Sequence, residues 1–275
     1  MGKCKYCSKN AGLFKSNHKE CLEKYIIGRS EIIFETEKAI METSDFVALN
    51  SKVDSIGKNC HIYGNNIIDL MVKGFDNAVD KVLEDGILTL EEEDKISKFN
   101  KYFNMDEINT NGSLDRIVKS SILRNIFDGI KLESRINITG TLPFVLEKDE
   151  IIIWVYTNTQ FFEQKIKTHY QGGSQGISVK IAKGLYYRTS AFKGYPVKTT
   201  EMQFISNGIT CITEKNIYFA SPTKSFKMPY NKLITIDPYE DGIGLQKDGS
   251  TAKPIILKGI DGWFTYNVIS NLSQK

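Results

Sequence analysis

Four potential metal ligands lie within the first 21 residues of this 275-residue chain. Cys4 and Cys7 form a Cys-x2-Cys pair, and His18 and Cys21 form a His-x2-Cys pair after an interval of ten residues. A tight turn brings the two thiols of the first pair together, and the i, i+3 spacing puts the second pair on one face of a helix. Three sulfurs and one imidazole form a donor set that tetrahedral zinc prefers. We therefore predict a zinc site at Cys4, Cys7, His18 and Cys21.

The predicted site is closed, because protein side chains fill all four positions, and this favours a structural over a catalytic zinc ion. The alternatives are another metal or a motif without metal. A redox-active Cys4-x2-Cys7 pair is disfavoured, because such pairs follow a strand and open a helix, and no such strand is predicted here. Residues 4–21 resemble small treble-clef or ribbon-like zinc modules. The remaining two of the five cysteines, Cys60 and Cys211, stand alone and are expected to be small buried residues.

A second candidate site is a basic stretch in which seven lysines and arginines between residues 160 and 200 face one acid, Glu163. Tyrosines interleave with these bases, and the glycines of QGGSQG at 171–176 predict a hairpin whose exposed backbone amides could hold an anion. The alternative is that these lysines bind no partner and only solvate the outer face of a strand. The candidate residues for binding an anionic partner are Lys165, Lys167, Tyr170, Lys180, Lys183 and Arg188.

The elements that must position these residues fall into three parts of different charge. Residues 1–40, a zinc-binding module and first helix, carry eight basic and five acidic side chains. Residues 41–135, an acidic helical domain, carry twelve and seventeen, and residues 136–275, a basic β-rich domain, carry sixteen and eleven. The net charge of +3 is therefore a cancellation between an acidic middle and two basic flanks.

No part of the chain approaches the roughly 20 consecutive apolar residues that cross a bilayer. The first ten residues, MGKCKYCSKN, lack the apolar core of a secretion signal. We therefore expect a cytoplasmic protein with reduced thiols and no transmembrane segment.

From about Leu22 to Arg135 apolar residues recur at helical spacing, beginning with Ile26, Ile27, Ile33 and Phe34, and these residues are expected to form the helical core. Thr89 with Glu92 three residues later predicts a capping box at the start of a helix, and 111–113 (Asn-Gly-Ser) separates that helix from the next. The stretch DGILTLEEEDKI at 85–96 resembles turns of bacterial tellurite-resistance-type helical domains.

The last part changes to short β-branched and aromatic runs, which predict strands without intervening helices. The runs are ITGTLPFVL, EIIIWVYT, GISVKIAKGLYYR, GITCITEKNIYFAS, SFKMPYNKLITIDPY, GIGLQKD and KPIILKG. Asp261 then begins the apolar helix DGWFTYNVISNL. About seven strands and one terminal helix predict an antiparallel barrel or sandwich.

The stretch at 208–248 resembles the strand ladder of bacterial PH-like and GRAM-type domains, and the resemblance extends over about residues 137–275. It implies a barrel capped by the terminal helix, with Trp263 packed on the barrel and anions bound by basic loops at its open end. The fold class expected for the whole chain is α+β: an N-terminal zinc module, an all-α middle domain and a C-terminal PH-like antiparallel β-barrel capped by one helix.

The function expected from these features is that of a non-enzymatic binding or adaptor protein whose PH-like domain docks on an anionic partner, either a protein or a membrane headgroup. The alternative is a nucleic-acid-binding protein that uses the zinc module and the Lys/Tyr stretch together. Enzymatic chemistry is disfavoured because only three histidines are present. His18 is assigned to the metal, His61 adjoins Cys60 in a predicted loop, and His169 precedes the glycines without a visible acid partner.

Overall fold

The chain forms two compact units, Met1–Asp128 and Gly129–Lys275. The computed structural model describes residues 2–273 except 106, 107, 109, 111, 137, 139, 183, 184 and 250. For the other residues of the range 167–198 it describes the backbone alone. The first unit is helical and the second is built on one sheet, so the expected mixture of helix and sheet is confirmed.

The first unit begins with a small antiparallel hairpin in which Gly2 pairs with Gly12, and five α-helices follow. The elements are β1 (Gly2–Lys3), β2 (Asn10–Gly12), α1 (Lys19–Lys38), α2 (Phe46–Cys60), α3 (Asn65–Val82), α4 (Leu90–Phe103) and α5 (Ser113–Phe127). A π-helical turn, Ala39–Thr43, extends α1. The predicted capping box is confirmed, because the Thr89 side chain and the Glu92 side chain each accept from the other residue's backbone N–H.

Helix α1 packs on α2 and α3 at places where only glycine fits. A Cβ on Gly28 would lie 2.5 Å from the Cβ of Cys60, and a Cβ on Gly74 would lie 2.6 Å from the carbonyl oxygen of Ile33. The residues that α1 buries are Gly28, Ile32 and Thr36. Placing Ile26, Ile27 and Phe34 in the core is wrong: all three side chains are more than half exposed. The close glycine contacts fix the orientation of α1 and turn a different stripe inward.

The second unit contains a seven-stranded antiparallel sheet that curls into a half-barrel. Its strands are β3 (Ile152–Ala182), β4 (Leu185–Thr213), β5 (Asn216–Ala220), β6 (Ser225–Pro229), β7 (Leu233–Tyr239), β8 (Gly242–Lys247) and β9 (Ile255–Lys258), followed by α6 (Gly262–Leu272). The strand order is β6-β5-β4-β3-β9-β8-β7. The predicted strand at 138–146 is wrong: the described residues of this segment form no strand.

Strands β3 and β4 continue far past the half-barrel as a two-stranded ribbon. Strand β9 pairs with β3 only over Gln160–Glu163, whereas β3 and β4 pair with each other as far as Ala182 and Leu185. At about 3.3 Å per residue, the part beyond Gln164 extends for roughly 60 Å. The hairpin predicted at 171–176 is wrong, because these residues lie within β3, where Gly172 pairs with Gly194 and Gly176 with Ser190.

Asp261 is the N-cap residue of α6, and its carboxylate accepts a hydrogen bond from the backbone N–H of Phe264 at 2.9 Å. Phe264 is buried and meets Trp154 edge to face, with ring centroids 5.7 Å apart. Trp263 is 63% exposed, so the expectation that it packs on the barrel is wrong. One residue corresponds to about 100° around a helix, and the phase set by the Asp261 cap turns Phe264 inward instead.

The two isolated cysteines lie in different packing environments. Cys211 is fully buried in β4, as predicted, and Cys60 is partly buried at the end of α2 against Gly28. None of the described helices is both long and apolar enough to span a bilayer.

Candidate metal centre

Cys4 and Cys7 lie on a tight turn between β1 and β2. The backbone N–H of Cys4 donates to the Lys9 carbonyl oxygen at 2.8 Å, and the N–H of Ser8 donates to the Cys4 carbonyl oxygen at 2.8 Å. Ser8 has the left-handed backbone (φ 60°) that lets so short a turn close. A turn and β2 follow Cys7, whereas a redox-active pair would open a helix.

His18 and Cys21 are held by the start of α1. His18 is the N-cap residue with an extended backbone (φ −79°, ψ 146°), and its carbonyl oxygen accepts from the N–H of Leu22 at 3.1 Å. Cys21 therefore lies in the first turn of the helix, on the side of His18. The helix start thus positions the second ligand pair, as the i, i+3 spacing predicted.

The four predicted ligands come together in what we call the metal cluster: Cys4, Cys7, His18 and Cys21. One donor atom from each lies within 4.8 Å of the others. The Nδ1 atom of His18 is 3.4 Å from Sγ of Cys7 and 3.6 Å from Sγ of Cys21. Cys4 is buried and the other three ligands are half-buried. This set of donors could bind a metal ion.

The imidazole of His18 is oriented from its far side. Its Nε2 atom lies 2.9 Å from the backbone carbonyl oxygen of Asn10. Since a carbonyl only accepts, Nε2 carries the proton in this contact, and the lone pair of Nδ1 is left facing the thiols. Ligating histidines in metal sites are held in this way by a partner on the other ring nitrogen.

The thiols of the metal cluster differ in how easily they ionise. Burial opposes ionisation of Cys4, yet backbone N–H groups, among them that of His18 at 3.4 Å from its sulfur, lower the thiol's pKa to about 6. Burial and the neighbouring thiols raise the pKa of Cys21 to about 11. The hydrogen bond to Asn10 is the main cause that raises the pKa of His18. A compensating cation beside Cys21 would therefore favour the thiolate form of this residue.

An open groove of about 760 Å³ lies next to the metal cluster. The rings of Tyr6 and Tyr25 form one wall, with centroids 4.7 Å apart. The Lys5 ammonium lies 4.9 Å from the centroid of Tyr6, and the Arg29 guanidinium lies 5.6 Å from that of Tyr25. This surface was not predicted from the sequence, although the i, i+4 spacing of Tyr25 and Arg29 and the adjacency of Lys5 and Tyr6 indicate it.

The predicted anion-binding residues are spread along the ribbon. Lys165 is partly exposed and opposes Glu201, which brings a carboxylate to the basic stretch. The backbones of Lys165 and Lys180 lie 15 positions apart on β3, about 50 Å at about 3.3 Å per residue. Lys183 and the side chains of Lys167, Tyr170, Lys180 and Arg188 lie outside the described residues.

A polar cluster that was not predicted from the sequence lies in the second unit, around the carboxylate of Glu150. This Glu150 cluster contains the hydroxyl of Thr213, the amide of Asn216 at 2.7 Å and the hydroxyl of Tyr218 at 2.7 Å, all donating to the carboxylate. The backbone N–H of Glu147 donates a fourth bond at 2.9 Å. Burial opposes ionisation, but these donors outweigh it and lower the pKa of Glu150. Because both oxygens accept hydrogen bonds, the Glu150 carboxylate links the segment before β3 to strands β4 and β5 of the sheet.

Comparisons of the chain with protein-family models, with curated proteins and with solved structures found no match.

Proposed function

We propose that the metal cluster binds a structural Zn²⁺ ion in a protein that binds a partner and performs no catalysis. Bonds of about 2.3 Å to sulfur and about 2.0–2.1 Å to nitrogen, at tetrahedral angles, place a sulfur and a nitrogen about 3.6 Å apart. The distances of 3.4 and 3.6 Å from His18 Nδ1 to the sulfurs of Cys7 and Cys21 fit this geometry. Four protein ligands leave no position for a reacting water, which supports a structural role.

Elemental analysis of the purified protein tests the metal assignment, with about one zinc per chain expected. Cys7→Ser should lower the zinc content and the melting temperature, because it removes one of the four ligands. Cys60→Ala is the matched control, since Cys60 lies outside the cluster, and it should retain full zinc. Full zinc and an unchanged melting temperature in Cys7→Ser would contradict the ligand assignment.

For the second unit we propose a PH-like docking domain. The observation that carries this proposal is the strand order β6-β5-β4-β3-β9-β8-β7. The four consecutive strands β3–β6 form one part of the sheet and the three strands β7–β9 form the other. Pairing of the first strand, β3, with the last strand, β9, joins the two parts. Helix α6 follows the last strand and buries Phe264 against Trp154. The exposed Trp263 departs from the PH pattern, and the buried aromatic at the next position fills that role here.

The partner of this domain is anionic in our proposal, either a protein or a membrane headgroup. The support is the excess of basic over acidic residues in 136–275 and its concentration along the ribbon. A charge of this sign attracts acidic surfaces over a Debye length of about 8–10 Å at physiological salt. The expected cytoplasmic location belongs to the same proposal.

Vesicle flotation beside a pulldown from lysate tests the docking surface. Serine at Lys165, Lys167, Lys180 and Lys183 together should abolish binding to the partner. The matched control places serine at four lysines that are exposed and lie outside the basic stretch: Lys58, Lys73, Lys101 and Lys131. Unchanged binding by the first variant, or equal loss in both, would contradict the proposed surface.

The nucleic-acid alternative is favoured by a different observation, the groove lined by Tyr6, Tyr25, Lys5 and Arg29. Aromatic rings that stack on bases and cations that track phosphates are the usual elements of single-strand binding. Anisotropy of a labelled single-stranded RNA, titrated with salt, tests this function. Tyr25→Ala should weaken binding by about tenfold, since stacking contributes about 1–3 kcal/mol per base. Tyr239→Ala, in the second unit, is the control.

A further inference from the structure

The loop between β2 and α1 exposes two adjacent large apolar side chains. Leu13 is 72% exposed and Phe14 is 100% exposed. We call these two residues the apolar tip. Phe14 also has a left-handed backbone (φ 61°), a conformation that is unfavourable for a bulky residue. The fold therefore holds the Phe14 ring in solvent and its backbone in a strained conformation, and both are unfavourable. This combination indicates that the ring contacts a partner.

The surrounding hairpin holds the apolar tip in place. On one side, Gly12 precedes the tip with φ 97°, and its N–H donates to the Asn10 side chain at 2.9 Å. On the other side, the carbonyl oxygen of Ser16 accepts from the N–H of Lys5 at 2.9 Å. Both anchors flank the metal cluster, so the tip is carried by the same small module that the metal holds together.

The charge around the apolar tip is mainly positive, although Lys19 lies 3.8 Å from a carboxylate oxygen of Glu23. Residues 2–19 contain five lysines and no acidic residue, and all five lysines are exposed: Lys3, Lys5, Lys9, Lys15 and Lys19. Lys15 and Lys19 line a hollow of about 310 Å³ together with Glu20, the first acid of the chain. Two apolar side chains within a basic surface complement a lipid layer whose headgroups are negatively charged and whose interior is apolar.

We propose that the apolar tip inserts into the interface of an anionic membrane, with Leu13 and Phe14 below the headgroups and the lysines on the phosphates. A membrane is favoured over a protein because the tip is two adjacent side chains on a loop, and a protein partner would need a pocket shaped to receive it. A bilayer interface receives apolar side chains without such a pocket. This site lies in the first unit and does not depend on the docking function proposed for the second unit.

Flotation of the full-length protein with phosphatidylcholine vesicles, with and without phosphatidylserine, tests the insertion. The wild type should float only with the anionic vesicles. The double variant Leu13→Ser/Phe14→Ser should lose at least about tenfold in apparent affinity, because two buried apolar side chains are removed. Ile87→Ser is the matched control, since Ile87 is 62% exposed on a loop of the same unit, and it should float like the wild type. Equal zinc contents and melting temperatures establish that each variant is folded.

A fluorescent side chain at the tip distinguishes insertion from attraction by charge alone. The emission of Phe14→Trp, after subtraction of the wild-type spectrum, should shift to the blue on anionic vesicles and be quenched by brominated acyl chains. The proposal is overturned if the protein does not float, if Leu13→Ser/Phe14→Ser floats like the wild type, or if the emission of Phe14→Trp is unchanged on vesicles that bind the protein. A Phe14→Trp shift that persists on anionic vesicles in the four-lysine ribbon variant would support insertion of the tip independently of the ribbon, and loss of the shift in that variant would contradict it.

Discussion

The metal cluster of the first unit and the Glu150 cluster of the second unit differ in what balances their charge. In the metal cluster, three thiols and an imidazole place their donor atoms within 4.8 Å of one another. In the Glu150 cluster, one carboxylate receives hydrogen bonds from two hydroxyls, one side-chain amide and one backbone N–H. In our proposal a cation from solution completes the first arrangement, whereas the donors of the protein itself complete the second.

The two clusters also differ in how far along the chain their members come from. The metal ligands all lie within residues 4–21, so a short segment can assemble them. The side-chain partners of Glu150 lie 63 to 68 residues away on β4 and β5, so that cluster forms only with the sheet. Stability of the first cluster should therefore follow the metal concentration, and stability of the second should follow the folding of its unit.

Of the changes that test this difference between the two clusters, removal of the metal should have the largest effect. A strong chelator should unfold residues 2–21, because structural zinc contributes about 10–16 kcal/mol of apparent binding free energy in small zinc peptides. Hydrogen exchange measured by mass spectrometry should show lost protection in the hairpin and in the first turn of α1. Protection in β4 and β5 should not change.

Tryptophan fluorescence gives an independent control for the chelation experiment. Both tryptophans of the chain, Trp154 and Trp263, lie in the second unit. Their emission and its urea midpoint should be the same with and without chelator. A chelator that leaves exchange in residues 2–21 unaltered would contradict the metal cluster, and a shifted tryptophan midpoint would contradict the separation of the two clusters.

The proximity of Cys4, Cys7, His18 and Cys21 could be predicted because the information for it is local. Pair spacing alone identified the four residues that the fold brings together, and the capping box at Thr89 and Glu92 followed from the same kind of short pattern. The orientation of His18 could not be predicted, since its partner is a backbone carbonyl oxygen and any residue at position 10 would supply one.

Long-range features of the second unit were predicted less well, also for a physical reason. The sheet and its terminal helix followed from alternation and composition, but the burial of Phe264 in place of Trp263 depends on the helix phase. The glycines of 171–176 were assigned to a turn because glycine favours turns, whereas strand pairing across the ribbon decides their conformation. Glu150 gave no signal because its partners become neighbours only in the folded sheet.

Glu150→Gln tests the second cluster with an intermediate expected effect. The glutamine amide would direct its own N–H groups at one pair of donors, so at least one buried donor loses its acceptor, at a cost of roughly 1–3 kcal/mol. Urea unfolding followed by tryptophan fluorescence should show this loss. Glu147→Gln is the control: its carboxylate pairs with Lys227 at an exposed site, where ion pairs contribute about 0–1 kcal/mol. Equal effects of the two substitutions would contradict the assigned role of Glu150.

The smallest expected effect is the pH dependence of the difference in unfolding free energy between the wild type and Glu150→Gln, and it is also the most specific test. The pKa of Glu150 is lowered by folding, so its contribution to stability is fully present above the ordinary value of 4.5 and disappears as the pH falls through the lower folded-state value. The gap in unfolding free energy between wild type and Glu150→Gln should therefore be constant near neutral pH and shrink in acid. Because both tryptophans report only the second unit, acid release of metal from the first unit does not enter this measurement. A gap that widened in acid would mean that the protonated carboxyl, rather than the carboxylate, is the form that the four donors stabilise.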